Sequence, residues 1–412
     1  MLIPKILKNT LKREGGFGLL NLLGLSISMA IALIIVWYLL YHLSFDRNIP
    51  KSKSIYRLIC KDKSNGTLSF GNPLPFAGVI PAEYPEPGDV AAASSIYEYD
   101  VMAKGEKYSI MALAATSNIF EFLELKLIAG SEKDALPQPG GSVITQSCAK
   151  KLFGDENPIG QVYTVQTEAG AITCAVNGII MDPTANTSFS IEACLSWQSL
   201  NPPDWRSKWW WSGTNIFVKL DNEAQKDDLE RKVNTLLDRY NSDFIKGRYD
   251  FHFIPLIGSH FRTDIENTLT PAISSKLLLM LGLIAVFIVV VACINFVNLS
   301  IAQSEKNIKD AGIHKVMGAT RTKMASNYLV LTFIKIAIAI ALSLIVAYLL
   351  LPSFRSVAQI GDYDPWASPA IWAIVMALLG GVSGFLAGLY PALIMARSKP
   401  VALLSGHRNG DG

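Results

Sequence analysis

The chain has 412 residues, half of them hydrophobic, a formal net charge of +3 and a mean hydropathy of +0.30. A chain this apolar is not an ordinary soluble domain, and a charge this small leaves no global footprint for nucleic acid. The apolar residues gather near the N-terminus and in the last third, so membrane spans flanking a more polar segment are the expectation.

Residues 1–16 place Ile3, Ile6, Leu7 and Leu11 on one helical face, with Lys5, Lys8 and Lys12 elsewhere. That pattern suits a cytoplasmic interfacial helix lying on the inner membrane surface, and equally a charged flank that sets topology. Four stretches then reach the roughly 20 apolar residues a helix needs to cross a bilayer: residues 17–43, 275–303, 328–352 and 369–396. The first is too long for a signal peptide, and the following "YHLSFDR" lacks a small-residue cleavage site, so it reads as a retained anchor. The fold class expected is a membrane protein of four transmembrane α-helices, with a large α+β extracytoplasmic domain between spans one and two.

Lys and Arg near the span ends set the orientation. Lys5, Lys8, Lys12 and Arg13 precede the first span; Lys306, Lys309, Lys315, Arg321 and Lys323 lie in the loop 304–327; Arg397, Lys399 and Arg408 lie in the tail 397–412. The loop 353–368 has only Arg355, against Asp362 and Asp364. Both termini and the loop 304–327 are therefore expected in the cytoplasm, and residues 44–274 and 353–368 outside.

Within the external segment, "GSVITQSCAKKLFG" reads as a short strand and then a helix closed by Gly154. "QVYTVQ", "ITCAVNGII" and "DFHFIPLIG" read as strands, and "NEAQKDDLERKVNTLLDRYN" as an amphipathic helix burying Leu229, Val233, Leu236 and Leu237. Trp205, Trp209, Trp210 and Trp211 form either a packed cover on the core or an aromatic patch facing a ligand or the membrane. Cys60, Cys148, Cys174 and Cys194 are external and Cys293 sits in span two; one disulfide or four scattered buried thiols both fit.

Small residues recur every fourth position in span four, at Gly380, Gly384 and Gly388, and in span one, at Gly24, Ser28 and Ala32. Such ridges let helix backbones approach closely, within one chain or between two copies. Asn21, Asn295 and Asn298 are expected to bond between helices near the inner ends of their spans. Lys335, about two turns into span three, can reach the inner interface along its alkyl stem; no Asp or Glu lies within the spans, which argues against an ion-coupled transporter.

No G-x-x-x-x-G-K-[ST], H-E-x-x-H or G-x-S-x-G is present. His42, His252, His260, His314 and His407 are scattered, and Asp227 and Asp228 lie on a solvated helix face. No catalytic, cofactor or metal site is expected, and the chain reads as noncatalytic.

One stretch remains, "NIKDAGIHKVMGATRTK", from Asn307 to Lys323. A helix from about Ile308 to Met317 puts Ile313, Val316 and Met317 on one side and Lys309 and Lys315 elsewhere; Gly318 ends it. It is either an interfacial helix dipping into lipid or a knob whose apolar side fits a groove on a cytoplasmic protein.

These residues resemble the loop after the second span of ABC-transporter permeases of the MacB/FtsX type. Gly312, Ile313, Lys315, Gly318, Ala319 and Thr320 match its usual pattern, while Asp310 stands for the usual Glu, Ala311 for a branched residue and His314 for the usual Arg. "NLLGLSISMAIALIIVWYLLYHLSFDRN" through "IYRL", "VITQSCAKKLFGDENPIGQVY" and "LAGLYPALIMARSKPVALLSG" resemble three further family stretches in the right order.

The resemblance implies a permease subunit in the bacterial inner membrane that does not pass substrate between its spans. Asp310, Gly312, Ile313, His314, Lys315, Val316, Met317 and Gly318 would form the helix that couples it to a cytoplasmic ABC ATPase on a separate chain. The spans would then move a MacB-like periplasmic core domain, as in export or lipoprotein extraction, alongside a second permease copy or sister chain and, in exporters, a periplasmic adaptor and outer-membrane duct. Membrane lipids are the remaining expected partner, and nucleic acid is not one. Two other readings stay open: an FtsX-like regulator of a cell-wall hydrolase, and a membrane-anchored sensor or scaffold without an ATPase.

Overall fold

The computed structural model describes residues 2–84, 90–131, 135–136, 139–168, 170–200, 209, 212–240, 247–306, 321–361, 363 and 369–397. Its helices are α1 (Leu2–Leu43), α2 (Phe76–Glu83), α3 (Ile119–Phe122), α4 (Gln146–Phe153), α5 (Trp197–Leu200), α6 (Glu223–Arg239), α7 (Ser275–Lys306), α8 (Arg321–Ala358) and α9 (Pro369–Arg397). Its strands are β1 (Ile55–Asp62), β2 (Leu68–Ser69), β3 (Asn72–Pro73), β4 (Val90–Ser94), β5 (Tyr97–Ala103), β6 (Glu106–Ala115), β7 (Leu127–Gly130), β8 (Gly141–Thr145), β9 (Val162–Thr167), β10 (Gly170–Ile180), β11 (Ala193–Ser196), β12 (Ser212–Lys219), β13 (Tyr249–Pro255) and β14 (Ile265–Glu266). Two compact units result: Met1–Tyr41 with Lys276–Gly412, and His42–Ser275.

The first unit is helical. Leu22, Leu25, Met29 and Ala32 of α1 pack with Ala285, Val289, Ala292, Cys293 and Phe296 of α7 and with Ile336 and Ala339 of α8. The faces turned away are just as apolar: Leu20, Ile27, Leu283, Phe287, Tyr348 and Leu349 are all exposed. A unit apolar both inside and out is built for lipid rather than water. Three helices are long and apolar enough to cross a membrane, over Gly18–Leu43, Ser275–Leu299 and Leu329–Ala358. The fourth expected span, 369–396, falls on α9, whose described apolar run, Ala370–Phe385, is shorter. The segment 1–16 and the first span are not separate helices in the structure: α1 runs unbroken from Leu2 through Gly15 and Gly16.

The second unit is the α+β domain. Its strands run in the order β11-β8-β10-β9-β5-β6-β4-β12-β1-β2-β14, with β13 on β1, β3 on β12 and β7 on β10. Parallel pairing of β11 with β6, from Ala193↔Ala112 to Ser196↔Ala115, closes six strands into a ring. The ring encloses Val101, Ile110, Leu152, Phe153, Tyr163, Val165, Cys174 and Val176. A second core lies under α2 and α6, where Phe76, Ile80, Leu229, Val233 and Leu236 meet Leu58, Ile216, Phe251 and Phe253. Burying one such large apolar side chain contributes about 1.5–3 kcal/mol.

Local signals explain the edges of these elements. The Thr145 hydroxyl accepts the Cys148 N–H at 3.2 Å to cap α4, and Gly154, at φ 68°, ends it. Asn222 caps α6 by accepting the Gln225 N–H at 3.0 Å, and Gln225 reaches back to the Asp221 N–H at 2.7 Å. Gly130 has φ 93°, and a Cβ there would stand 2.8 Å from the Gly178 Cα, so β7 can approach β10 only without one. All five cysteines are free and buried, which resolves the two cysteine readings in favour of thiols. Burial pushes Cys60, Cys148 and Cys174 up to about 12, leaving them unreactive.

Candidate functional site

The residues expected to couple to an ATPase, Asp310, Gly312, Ile313, His314, Lys315, Val316, Met317 and Gly318, lie outside the described residues. So do Trp205, Trp210 and Trp211. Trp209 is described: it is half-buried, edge-on to Phe76 at 5.3 Å and against Tyr240 at 5.4 Å. It lines a cleft of about 470 Å³ together with Leu74, Val79, Thr116 and Trp197.

Of the small-residue ridges, the one on α9 faces α8. A Cβ at Gly384 would overlap the Phe333 ring, at 2.8 Å from Cζ, and one at Gly380 would stand 3.1 Å from Ile340 Cδ1. A Cβ at Gly24 would meet nothing within 4 Å, and the Ser28 hydroxyl bonds back to the Gly24 carbonyl at 3.0 Å. Side-chain placement at Gly388 is outside what the structure describes. Asn21 bonds between helices, its Nδ2 donating to the Phe296 carbonyl of α7 at 3.3 Å, while Asn295 and Asn298 are exposed.

The most polar interior lies in the α+β domain, where the chain enters it from α1. Asp46 is 1% exposed and adopts φ 59°, a left-handed conformation uncommon for a non-glycine residue. Its Oδ1 accepts the Ser188 N–H at 2.6 Å and the Thr187 hydroxyl at 3.2 Å, and its Oδ2 accepts the Ser188 hydroxyl at 2.6 Å. Its N–H donates to the Asn186 carbonyl at 2.9 Å. Asn186 Nδ2 in turn donates to the Ser44 hydroxyl at 2.9 Å and the Ser44 carbonyl at 3.3 Å, and Asn48 bonds Thr184. Burial raises the Asp46 pKa, while the Ser188 bonds, Arg57 and Thr187 pull it back. Three donors aimed at two oxygens fix the position of the carboxyl group and offset part of the cost of burying it.

Arg57, on β1, is fully enclosed. It donates to Asn215 Oδ1 at 2.8 Å and Ser259 Oγ at 3.4 Å, and its guanidinium lies 3.5 Å over the Phe70 ring. Burial lowers it to about 9, with Asp46 opposing the shift. Next to Ser259, the His260 ring stacks on Phe45 at 3.6 Å and its Nε2 lies 2.9 Å from His42 Nδ1. Burial, with His42 adding to it, lowers His260 to about 4, so it is neutral at ordinary pH. The His260 carbonyl accepts the Ile273 N–H at 3.0 Å, two residues before α7.

Little in the sequence points to this cluster. "SFDRN" and "IYRL" stood out only as family-like stretches, although an Arg inside an otherwise apolar strand was itself a signal that a buried partner had to exist.

Comparison with known proteins places the architecture. The MacB-like periplasmic core domain family matches residues 19–236, over half the chain, and the FtsX-like permease C-terminal family matches residues 282–400. The chain belongs to the MacB/FtsX family of ABC-transporter permeases. Its MacB-like domain is interposed between α1 and α7, and its FtsX-like part carries α7, α8 and α9. Among curated relatives, "Probable export ATP-binding/permease protein" of Pseudomonas fluorescens strain Pf-5 is 27% identical over 342 residues, covering 77% of this chain and 48% of that one. Its counterpart from strain Pf0-1 is 24% identical over 334 residues, again covering 77% and 48%. This permease chain thus spans about half the length of the curated relatives it matches. Among solved structures, a permease domain from Porphyromonas gingivalis aligns with TM-score 0.44 and 17% identity, covering 51% of this chain and 92% of that one. The periplasmic region of MacB from Actinobacillus actinomycetemcomitans aligns with TM-score 0.37 and 13% identity, covering 51% and 93%. The family assignment rests on the two domain matches.

Proposed function

We propose that this permease chain is the force-transmitting subunit of an ABC complex. A separate cytoplasmic ATPase docks on the loop 304–327 through Ile313, Val316 and Met317, and its ATP-driven closure shifts the membrane helices. That shift is passed to the α+β domain, which lies in the periplasm, with the termini and the loop 304–327 in the cytoplasm. Residues 369–396 serve as the fourth span, and 1–16 is the basic flank that sets the topology of the first. The complex is completed by a second permease copy or sister chain. The work done is export or extraction of a periplasmic or lipid-anchored substrate, aided by a periplasmic adaptor and an outer-membrane duct.

The observation that carries the reading is the interposition itself: a 234-residue unit, His42–Ser275, is set between two long apolar helices and covalently joined to both. Helices that carry such a body can work on it without opening a path for substrate between themselves. The names of the two Pseudomonas relatives, which join an ATP-binding part to a permease, support the ATPase partnership.

Ile313→Asp and Met317→Asp test the docking step. A charge on the apolar side of the knob is expected to cut ATPase co-purification at least about tenfold, the equivalent of 1.4 kcal/mol, while membrane insertion is unchanged. Full retention of the ATPase by both variants overturns it.

A further inference from the structure

The domain hangs on two tethers, the backbone after α1, which is clasped in its interior at Asp46, and the half-buried backbone before α7, which bonds to it at Ile273. A plain connector needs water and freedom. This one buries a carboxylate and holds Asp46 in a left-handed conformation, two costs that persist only where the surroundings fix a geometry. His260 holds both tethers at once: its ring packs on Phe45 and bonds His42, and its carbonyl binds the Ile273 N–H. The far side of the clasp is rooted in the sheet. Phe189 and Ile191 anchor the segment that bonds Asp46 into the same core as Phe217 and Ile55. Arg57 joins Ser259, beside His260, to Asn215 on β12.

We propose that this cluster is the force-bearing joint of the external domain, with Asp46 as its positioning residue. The two tethers and the sheet move as one piece, so displacement of the helices reaches β11 and β12 without slack. The joint rests on the reading that ATP-driven movement is passed to this domain, and it names where the movement enters.

The test uses the full chain with its ATPase in lipid nanodiscs. Spin labels go, by oxime linkage, on keto amino acids introduced at Lys107, exposed on β6, and at Val357, exposed on the last turn of α8; the native thiols are buried, which leaves cysteine chemistry free for the bridge described next. The label–label distance is read with and without ATP, alongside ATP turnover. In the otherwise native chain ATP shifts the distance. Asp46→Ala is expected to keep ATPase binding and turnover within about twofold and to lose most of the shift; Asp46→Asn replaces it if alanine prevents folding. Ser44→Cys with Asn186→Cys, whose native side chains are 2.9 Å apart, is then bridged in the Asp46→Ala background by a one-carbon bis-methanethiosulfonate. The bridge is expected to restore the shift and a reductant to remove it again.

A full shift in the Asp46 variants overturns the joint, and so does a lost shift that the bridge does not restore, since the residue then serves only folding. Absence of any ATP-driven shift in the native chain, with ATPase bound and turning over, brings down the transmission reading and the joint with it.

Discussion

The helical unit and the α+β domain solve packing in opposite ways. The helices have apolar residues on both sides, so water supplies little drive to bring one against another; close approach at Gly380 and Gly384 and inter-helix bonds such as the one from Asn21 stand in for it. The domain has water around it and hides three large apolar cores, then spends polar chemistry deep inside, at Asp46, Arg57 and His260. A unit held by dispersion along smooth helix faces can slide by small steps. A unit locked by buried, charge-assisted hydrogen bonds moves whole or not at all. That contrast suits a machine whose helices shift and whose outer body is carried.

The largest effect expected is at the joint. Asp46→Ala leaves Ser188 N–H, Ser188 Oγ and Thr187 Oγ1 without their acceptor and Arg57 without a nearby anion. About 1–3 kcal/mol of domain stability should be lost through the unsatisfied donors, seen as a lower urea midpoint with intrinsic fluorescence, while the membrane helices keep their helical signal. Loss of both together would erase the contrast.

Acid should sharpen it next. His260 has its folded pKa lowered to about 4 from 6.5. Between those values the unfolded chain binds a proton that the folded domain excludes, so stability falls as pH drops from 6.5 and levels off near 4. The contribution is about 3 kcal/mol. His260→Phe, which keeps the stack on Phe45, should flatten that part of the pH profile relative to the native chain. An unchanged difference between pH 7 and pH 4.5 would contradict it.

Third comes the pair Gly384→Leu and Gly24→Leu. The first drives a side chain into Phe333 and should cost about 1–3 kcal/mol, read as lower thermal stability in detergent with the domain's urea midpoint unmoved. The second enters open space within the chain and should leave that stability unchanged. Equal effects would mean that the two ridges are not used differently. The smallest effect is Asn222→Ala, which removes the cap of α6 and should cost the domain about 1 kcal/mol.

How much of this the sequence disclosed depended on how local each signal was. The long apolar runs gave the membrane helices, and alternation gave β9, β10 and β13; the buried stripe Leu229, Val233 and Leu236 gave α6. Ring closure by β6 and β11 was hidden because it pairs residues some eighty positions apart, with nothing in either strand naming the other. The joint was hidden for the same reason: Asp46 meets Ser188, and His42 meets His260, across most of the domain. Trp209 shows the limit from the other side: four clustered tryptophans left a packed cover and an exposed aromatic patch both open, and the one that the structure describes packs as a cover, on Phe76 and Tyr240.

The most direct test of the account places a photo-activated crosslinking amino acid at position 317 in intact cells. The account predicts an adduct with a nucleotide-hydrolysing cytoplasmic chain, lost when Ile313→Asp is added. Absence of any such adduct, together with labelling of a cysteine at 317 by a reagent that cannot cross the inner membrane, would contradict it.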